Sequence, residues 1–444
     1  MLVQFGIALP TWNIFVPNCR TFGIQSRHII QCLSHFQHNW QELCSNLAGV
    51  VNPYFVAWTI GMEENLEEDN SLSSLASIPA ATSFNIAPNK ERLSSLDAFR
   101  GLTISLMILV NCRGDAGAVF SCLEHAVWNG WSFADTVFPS FLFIVGVSLV
   151  FSFAEREEDR TSKKAFELRV VRRTIILFVL GLLLNSFPSF QLSNIRIPGV
   201  LQRIAVCYFF ASLIVLKSGL RGRILWLITL LASYWVMMLF VPVPGIGTGV
   251  LEPGQNFAAW VDSLFLNGYM WSYYDGKWDP EGIVSTIPAI ATTLFGVLTG
   301  QWLRSSASER RKAVGMLCSG LLLLIAGQIL STWLPINKSI WTSTFSIFMA
   351  GLALVCQALF YWFIDIAGFS SWTKPFIILG LNPIALYVLS QILGAMLPSM
   401  SLLGTFSVPI VKLGAESLLY PISVLLPISL TSWIMWQKRI FIRV

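Results

Sequence analysis

Residues 123–139 read LEHAVWNGWSFADTVFP and contain His125, the only histidine after the first forty residues. Imidazole titrates near neutrality, so it can exchange a proton with an amine or hydroxyl, or attack a carbonyl itself. Asp135 follows ten residues later, and if it meets the ring it fixes the tautomer and raises the basicity of the other nitrogen. Trp128 and Asn129 lie between them. A structural histidine at a membrane interface is the competing reading, and spacing alone leaves both open.

Polar side chains inside hydrocarbon are expensive, so each one at membrane depth is a functional candidate. Asp97 and Arg100 in SSLDAFRG are three apart and can pair on a helix, as an interfacial anchor or a ligand contact. Asn111 closes the same apolar run, where capping is the simpler role. Arg203, beside Gln202 in GVLQRIAV, sits about a turn inside its run and either snorkels outward or holds an anion or carboxylate in the interior. YYDGKWDPEGIVSTIP gathers Asp275, Lys277, Asp279 and Glu281, although Asp279-Pro280 also has the form of a helix start with Asp279 as N-cap. LPINKSIWTSTFS supplies Asn337, Lys338 and Trp341, types that serve equally as interfacial anchors. In GLNPIALYV, Asn382-Pro383 breaks a helix, which membranes tolerate where a cavity or polar partner compensates.

The scaffold for these residues follows from composition. The 444 residues are 55% apolar and 12% charged, with mean hydropathy +0.65. This describes an all-α integral membrane protein. About ten runs can span the bilayer as helices, near 98–112, 132–153, 173–187, 199–216, 223–243, 283–303, 313–334, 341–364, 375–397 and 415–437. Most Lys and Arg residues fall in alternate loops and both flanks, including Arg156 to Arg173, Lys217 to Arg223 and Arg304 to Lys312, whereas the opposite loops carry few, Arg196 and Lys338 among them. By the positive-inside rule both ends of the helical body face the cytoplasm, and the net charge of +5 reflects topology, with no nucleic-acid partner implied. Residues 1–91 read as a poorly structured extension: Met62 reads as the true start, residues 1–61 as not native, and 62–91 as a flexible acidic, Ser/Ala/Pro-rich linker. The eight cysteines lack metal-ligand spacing, so no metal is expected; Cys112 and Cys122 read as thiols, with pairing the alternative.

Six motifs, RLSSLDAFRGLTISLMILVN, EHAVWNGWSFADTVFPSFLFIVG, GVLQRIAVCYF, WDPEGIVSTIPAIATTLFGVLTG, PINKSIWTSTFS and GLNPIALYV, occur in order between residue 92 and about 390. Together they make the chain similar to the heparan-alpha-glucosaminide N-acetyltransferase family and its bacterial relatives. The resemblance implies a transmembrane acyltransferase domain over residues 92–444 that moves an acetyl group from cytoplasmic acetyl-CoA to the amine of a glucosamine-type sugar on the opposite face. It implies a catalytic His125 oriented by Asp135. On the acceptor side it points to Asn129, Asp279, Glu281, Lys338 and Asn382, and on the coenzyme side to Arg100, Asn111 and Arg203. The partners expected are acetyl-CoA, an amino sugar and the lipid bilayer, with a homodimer allowed; the membrane expected is a bacterial plasma membrane.

The loop NCRGDAGAVFSCL lacks the Gly-rich run of the lysosomal members, Gln391 stands where they have a histidine, and the extension is too short for their lumenal domain. These departures point to an amino sugar other than heparan, of the cell envelope. The same histidine chemistry would serve O-acetylation of an envelope polysaccharide. A transporter on this scaffold is a further alternative, which an internal repeat would have favoured.

Overall fold

The structure is a computed structural model and describes residues 93–112, 123–158, 163–187, 195–396 and 416–442. The expectations for residues 1–91 and for Cys122 therefore lie outside the described residues. Within them the chain is helical, and two isolated bridges, Gly130 with Asn337 and Val243 with Gly247, are the β pairings that occur.

Helix α1 spans Ser94–Asn111. A 3-10 turn, Phe133–Thr136, leads into α2, Val137–Glu158, followed by α3, Lys163–Ser186, α4, Val200–Lys217, and α5, Leu220–Phe240. A short α6, Phe257–Phe265, precedes α7, Ile283–Leu303, and α8, Glu309–Leu330. Helix α9, Ser343–Phe360, continues through a π-helical segment Tyr361–Ile366; α10 is Lys374–Leu381, α11 Pro383–Met396 and α12 Glu416–Gln437.

Helices stand at all ten expected places. Among the described residues six are long and apolar enough to cross a membrane: α2 with its leading turn, α4, α5, α7, α8 and α9 with its π segment. A seventh is the pair α10 and α11, bent by 76° at the Asn382-Pro383 break that the sequence announced. Two of the other helices are more polar. Helix α1 carries Asp97, Arg100 and Asn111 in 18 residues, and the first turns of α3 are basic, with Lys164, Arg169, Arg172 and Arg173. Side chains of α12 are described only from Pro421 onward.

Apolar side chains drive little association between helices already in lipid, so close backbone approach at small residues does much of the packing. A Cβ on Gly146 of α2 would lie 1.9 Å from the Thr293 carbonyl of α7, and one on Gly296 of α7 would lie 2.0 Å from the Phe143 carbonyl of α2. The contact between α1 and α10 works the same way, with Gly101 against the Phe376 carbonyl. Around these contacts one apolar cluster gathers Ile108, Leu142, Cys207, Ala289 and Phe345. A second gathers Phe143, Val147, Leu294, Ala350 and Leu354.

Candidate active site

Asp135 occupies the third position of the turn that opens α2, in a capping box with Ser132. Its Oδ2 accepts from Ser132 N at 2.9 Å, Ser132 Oγ at 3.0 Å and Ala126 N at 3.1 Å. Three donors on one oxygen fix a fully buried carboxylate and leave Oδ1 to face His125. His125 Nδ1 lies 2.7 Å from Oδ1. A carboxylate only accepts, so the proton belongs on Nδ1 and the lone pair on Nε2.

The third member comes from the loop between α8 and α9. Lys338 Nζ lies 2.9 Å from His125 Nδ1 and 3.1 Å from Nε2, and 3.3 Å from Asp135 Oδ1. The Lys338 ammonium and the Asp135 carboxylate thus both face the ring. The His125 side chain is 33% exposed while Asp135 is fully buried, so the imidazole is the member that solvent reaches.

Two loops must hold register for this to work. Gly130 N donates to the Ile336 carbonyl at 2.7 Å, and Asn337 Nδ2 donates to Asn129 Oδ1 at 3.2 Å. The Asn337 carbonyl oxygen of the side chain accepts from Ile340 N, and Thr342 caps α9 through Phe345 N. Between them Trp341 is fully buried with φ of +49°, a conformation rare for a bulky residue. Phe138 and Phe345 pack edge-on against it, each 5.2 Å away between centroids. The Arg203 guanidinium lies 5.0 Å over its ring. Such backbone persists only where the surroundings over-determine it, and here it shapes the turn that presents Lys338.

Arg203 is thus interior, as expected, but it grips α7 and the Lys338 loop. It donates to the Gly282 carbonyl at 3.3 Å and to Ser285 Oγ. Asp279 and Glu281 form a separate cluster. Arg196 donates to both oxygens of Asp279, at 2.8 and 2.7 Å, and to Glu281. Trp271 N and Glu281 N also donate to Asp279, each at 3.0 Å. Burial opposes the charge on Arg196, but Glu281 and Asp279 outweigh it and hold the guanidinium more basic than usual. Asp279 is therefore not the N-cap of α7: Gly282 is, and the Ile283 N–H is taken at 2.8 Å by Asp262 of α6. The two clusters share a wall, since Trp128 packs edge-on against Trp278 at 5.1 Å.

Arg100 and Asn382 lie elsewhere. Arg100 pairs with Asp97 and donates to the Gly380 carbonyl at 2.7 Å. Asn382 donates to the Ile440 carbonyl at 3.1 Å and accepts from Ile442 N at 2.8 Å. The break before Pro383 strands backbone groups that Arg100 and the C-terminal segment then satisfy, so Asn382 joins Arg100 rather than His125. Asn111 is exposed at the other end of α1, eleven residues or about 16 Å of helix from Arg100. A cavity of about 70 Å³ follows α2 from Phe141 to Ser152 beside Arg100, Arg173 and Tyr208. Ser148 Oγ and Arg173 Nε are buried there with no hydrogen-bond partner among the described residues.

Arg196 and Asp262 did not stand out as site residues in the sequence, and Asn337 stood out only as a member of its motif. Arg196 had one signal, being among the few cations of its set of loops; Asn337 and Asp262 act through partners that only folding supplies. No group of three or more His, Cys, Asp or Glu side chains that could hold a metal occurs among the described residues.

A buried carboxylate orienting a reachable imidazole, set in polytopic helices, defines a membrane protein equipped for proton or acyl transfer. Residues 92–317 match the family described as "Heparan-alpha-glucosaminide N-acetyltransferase, catalytic", and the chain belongs to that family. It is 29% identical over 357 residues to a mouse (Mus musculus) protein named heparan-alpha-glucosaminide N-acetyltransferase, covering 68% of this chain and 54% of the relative. The human (Homo sapiens) protein of that name is 29% identical over 352 residues, 67% of this chain and 52% of the relative. The chain spans about half the length of these curated relatives.

Proposed function

We propose that the protein is a membrane acetyltransferase that moves the acetyl group of acetyl-CoA to the amine of a glucosamine-type sugar, with His125 at the reacting centre. The observation that carries this reading is the His125–Asp135–Lys338 cluster, supported by membership in the family. An amine attacks a thioester only when neutral. Nε2 of His125 removes its proton as the amine attacks and CoA leaves as the thiolate, or Nε2 itself attacks the thioester, expels the CoA thiolate and then yields the acetyl group to the amine; both routes need the tautomer that Asp135 imposes. Lys338 places positive charge where the tetrahedral oxyanion develops. Asn129, exposed and tied to Asn337, and Glu281 stand on the acceptor side.

The donor approaches from the other end. CoA is anionic through its phosphates, and Arg100 and Arg173 offer guanidinium groups at the foot of the cavity along α2. Its chain would then lead toward Asn111 and His125. The basic residues Lys217, Arg221, Arg310 and Arg311 lie at helix ends on that side, which supports a cytoplasmic face there, both ends of the helical body cytoplasmic, and the sugar opposite.

The test is transfer of label from radiolabelled acetyl-CoA to glucosamine by purified protein in detergent. Wild type should acetylate and His125→Ala should not. Equal transfer by both would remove His125 from the mechanism.

A further inference from the structure

A second, larger cavity lies among the membrane helices, about 720 Å³ in volume, within the range of small-molecule sites. One wall is the stripe Val206, Phe210 and Leu213 of α4; the others include Leu230 of α5 and Ile287 and Ile290 of α7. A sugar has no partners on such walls, whereas a hydrocarbon chain loses nothing by leaving lipid for them. The slot runs along α4 from Arg203 to Lys217, 14 residues or about 21 Å of helix, within the ~30 Å of the hydrocarbon core.

The ends of the slot differ. Lys217 stands at one. At the other, Glu281, Gly282 and Arg203 form the mouth; Arg203 donates to Gly282 and Ser285 through Nη2, and its Nε and Nη1 are buried with no hydrogen-bond partner among the described residues. Glu281 and its partners Asp279 and Arg196, with the Arg203 guanidinium beside them, make this end polar, carboxylates and guanidinium groups being equal in number. Trp278, three residues before Glu281, meets Trp128, three residues after His125, so the mouth adjoins the reacting loop.

From this pairing of an apolar slot with a polar mouth we infer that the acceptor is an amino sugar carried on a hydrocarbon chain, the chain lying between α4, α5 and α7 and the sugar at the mouth beside Glu281 and Arg203. The inference rests on the acetyl-transfer reading and names its substrate class. A chain in the slot holds the sugar at the membrane surface and raises its local concentration at His125.

Protein in phosphatidylcholine nanodiscs would be given acetyl-CoA with either methyl or hexadecyl β-glucosaminide, each with a free amine. The expected ratio of kcat/KM, hexadecyl over methyl, is about 10-fold greater in wild type than partitioning of the hexadecyl chain into the nanodisc gives by itself, the effect of holding the sugar beside His125. It should fall toward the nanodisc partition value shared by two slot-filling variants, Leu230→Trp and Val206→Phe. Taking the ratio within each variant removes general losses of folding or rate. A ratio that is the same in wild type and both variants overturns the inference and leaves the slot to bilayer phospholipid. If neither acceptor is acetylated, the transfer reading fails by itself, and retention of tritiated hexadecyl glucosaminide decides the slot. Retention by wild type and loss in Leu230→Trp supports it; equal retention overturns it.

Discussion

The His125–Asp135–Lys338 and Arg196–Asp279–Glu281 clusters are built from similar residue types on either side of the Trp128–Trp278 contact, yet they satisfy their charges differently. Asp279 spends both oxygens on Arg196 and on two backbone N–H groups, so the second cluster is a lock that ties the segment before α4 to the segment before α7. Asp135 is equally saturated, but one of its partners is an imidazole that is a third exposed and that meets Lys338 as well. The difference teaches that counting ionisable groups does not find a reacting centre; what matters is whether a titratable member is left able to change its protonation state.

The comparison breaks most directly at His125. His125→Ala should lower acetyl transfer by about 10³-fold or more while leaving the melting temperature nearly unchanged, the range expected on losing a base or nucleophile. Comparable loss in Arg196→Met, measured per folded molecule, would erase the distinction. The expectation for Arg196→Met is instead a loss of roughly 3–5 kcal/mol of stability, because it strands buried Asp279, with the folded fraction retaining turnover. Thermal melts read beside active-site titration separate the two effects.

Lys338→Met should cut kcat about 10–100-fold with little change in the KM of acetyl-CoA, since the ammonium acts on developing charge, and Lys338→Arg should recover part of the rate. A change confined to KM would move Lys338 to acceptor binding. The smallest effect concerns Asp262, whose carboxyl burial pushes up to about 7, with Asp279 adding to it and Ile283 N–H and Arg203 opposing. The folded state then holds a proton that the unfolded chain, near 4, releases. Stability is greatest below pH ~4 on this account and declines as pH rises to about 7, by at most about 1.4 kcal/mol per pH unit. Asp262→Asn keeps an acceptor for Ile283 N–H and should flatten that slope in melts taken from pH 4 to 8; an unchanged slope would clear Asp262 of the effect.

Much of the helical layout was legible in the sequence. The run at 283–303 coincides with α7, and the Asn382-Pro383 break became a 76° bend, because apolar runs and proline act locally. His125 and Asp135 were legible as a pair because ten residues of loop and capping turn bring them together. Lys338, 213 residues from His125, was legible as a motif member and not as its neighbour. The sequence also proposed acceptor contacts for Asp279 and Asn382, whose side chains the fold commits to Arg196 and to the C-terminal segment.

By itself, then, the sequence determined that this is a helical membrane chain, where most of its helices run, and which histidine could react. Only the tertiary structure decided that Lys338 joins that histidine and Asp135, that Asp262 rather than Asp279 takes the first N–H of α7, and that α4, α5 and α7 leave an apolar slot with a polar mouth. The physical reason is range. Hydropathy and capping are set by residues within a few turns of one another, whereas a charge finds its partner, and a cavity its walls, only when helices far apart in the chain have packed.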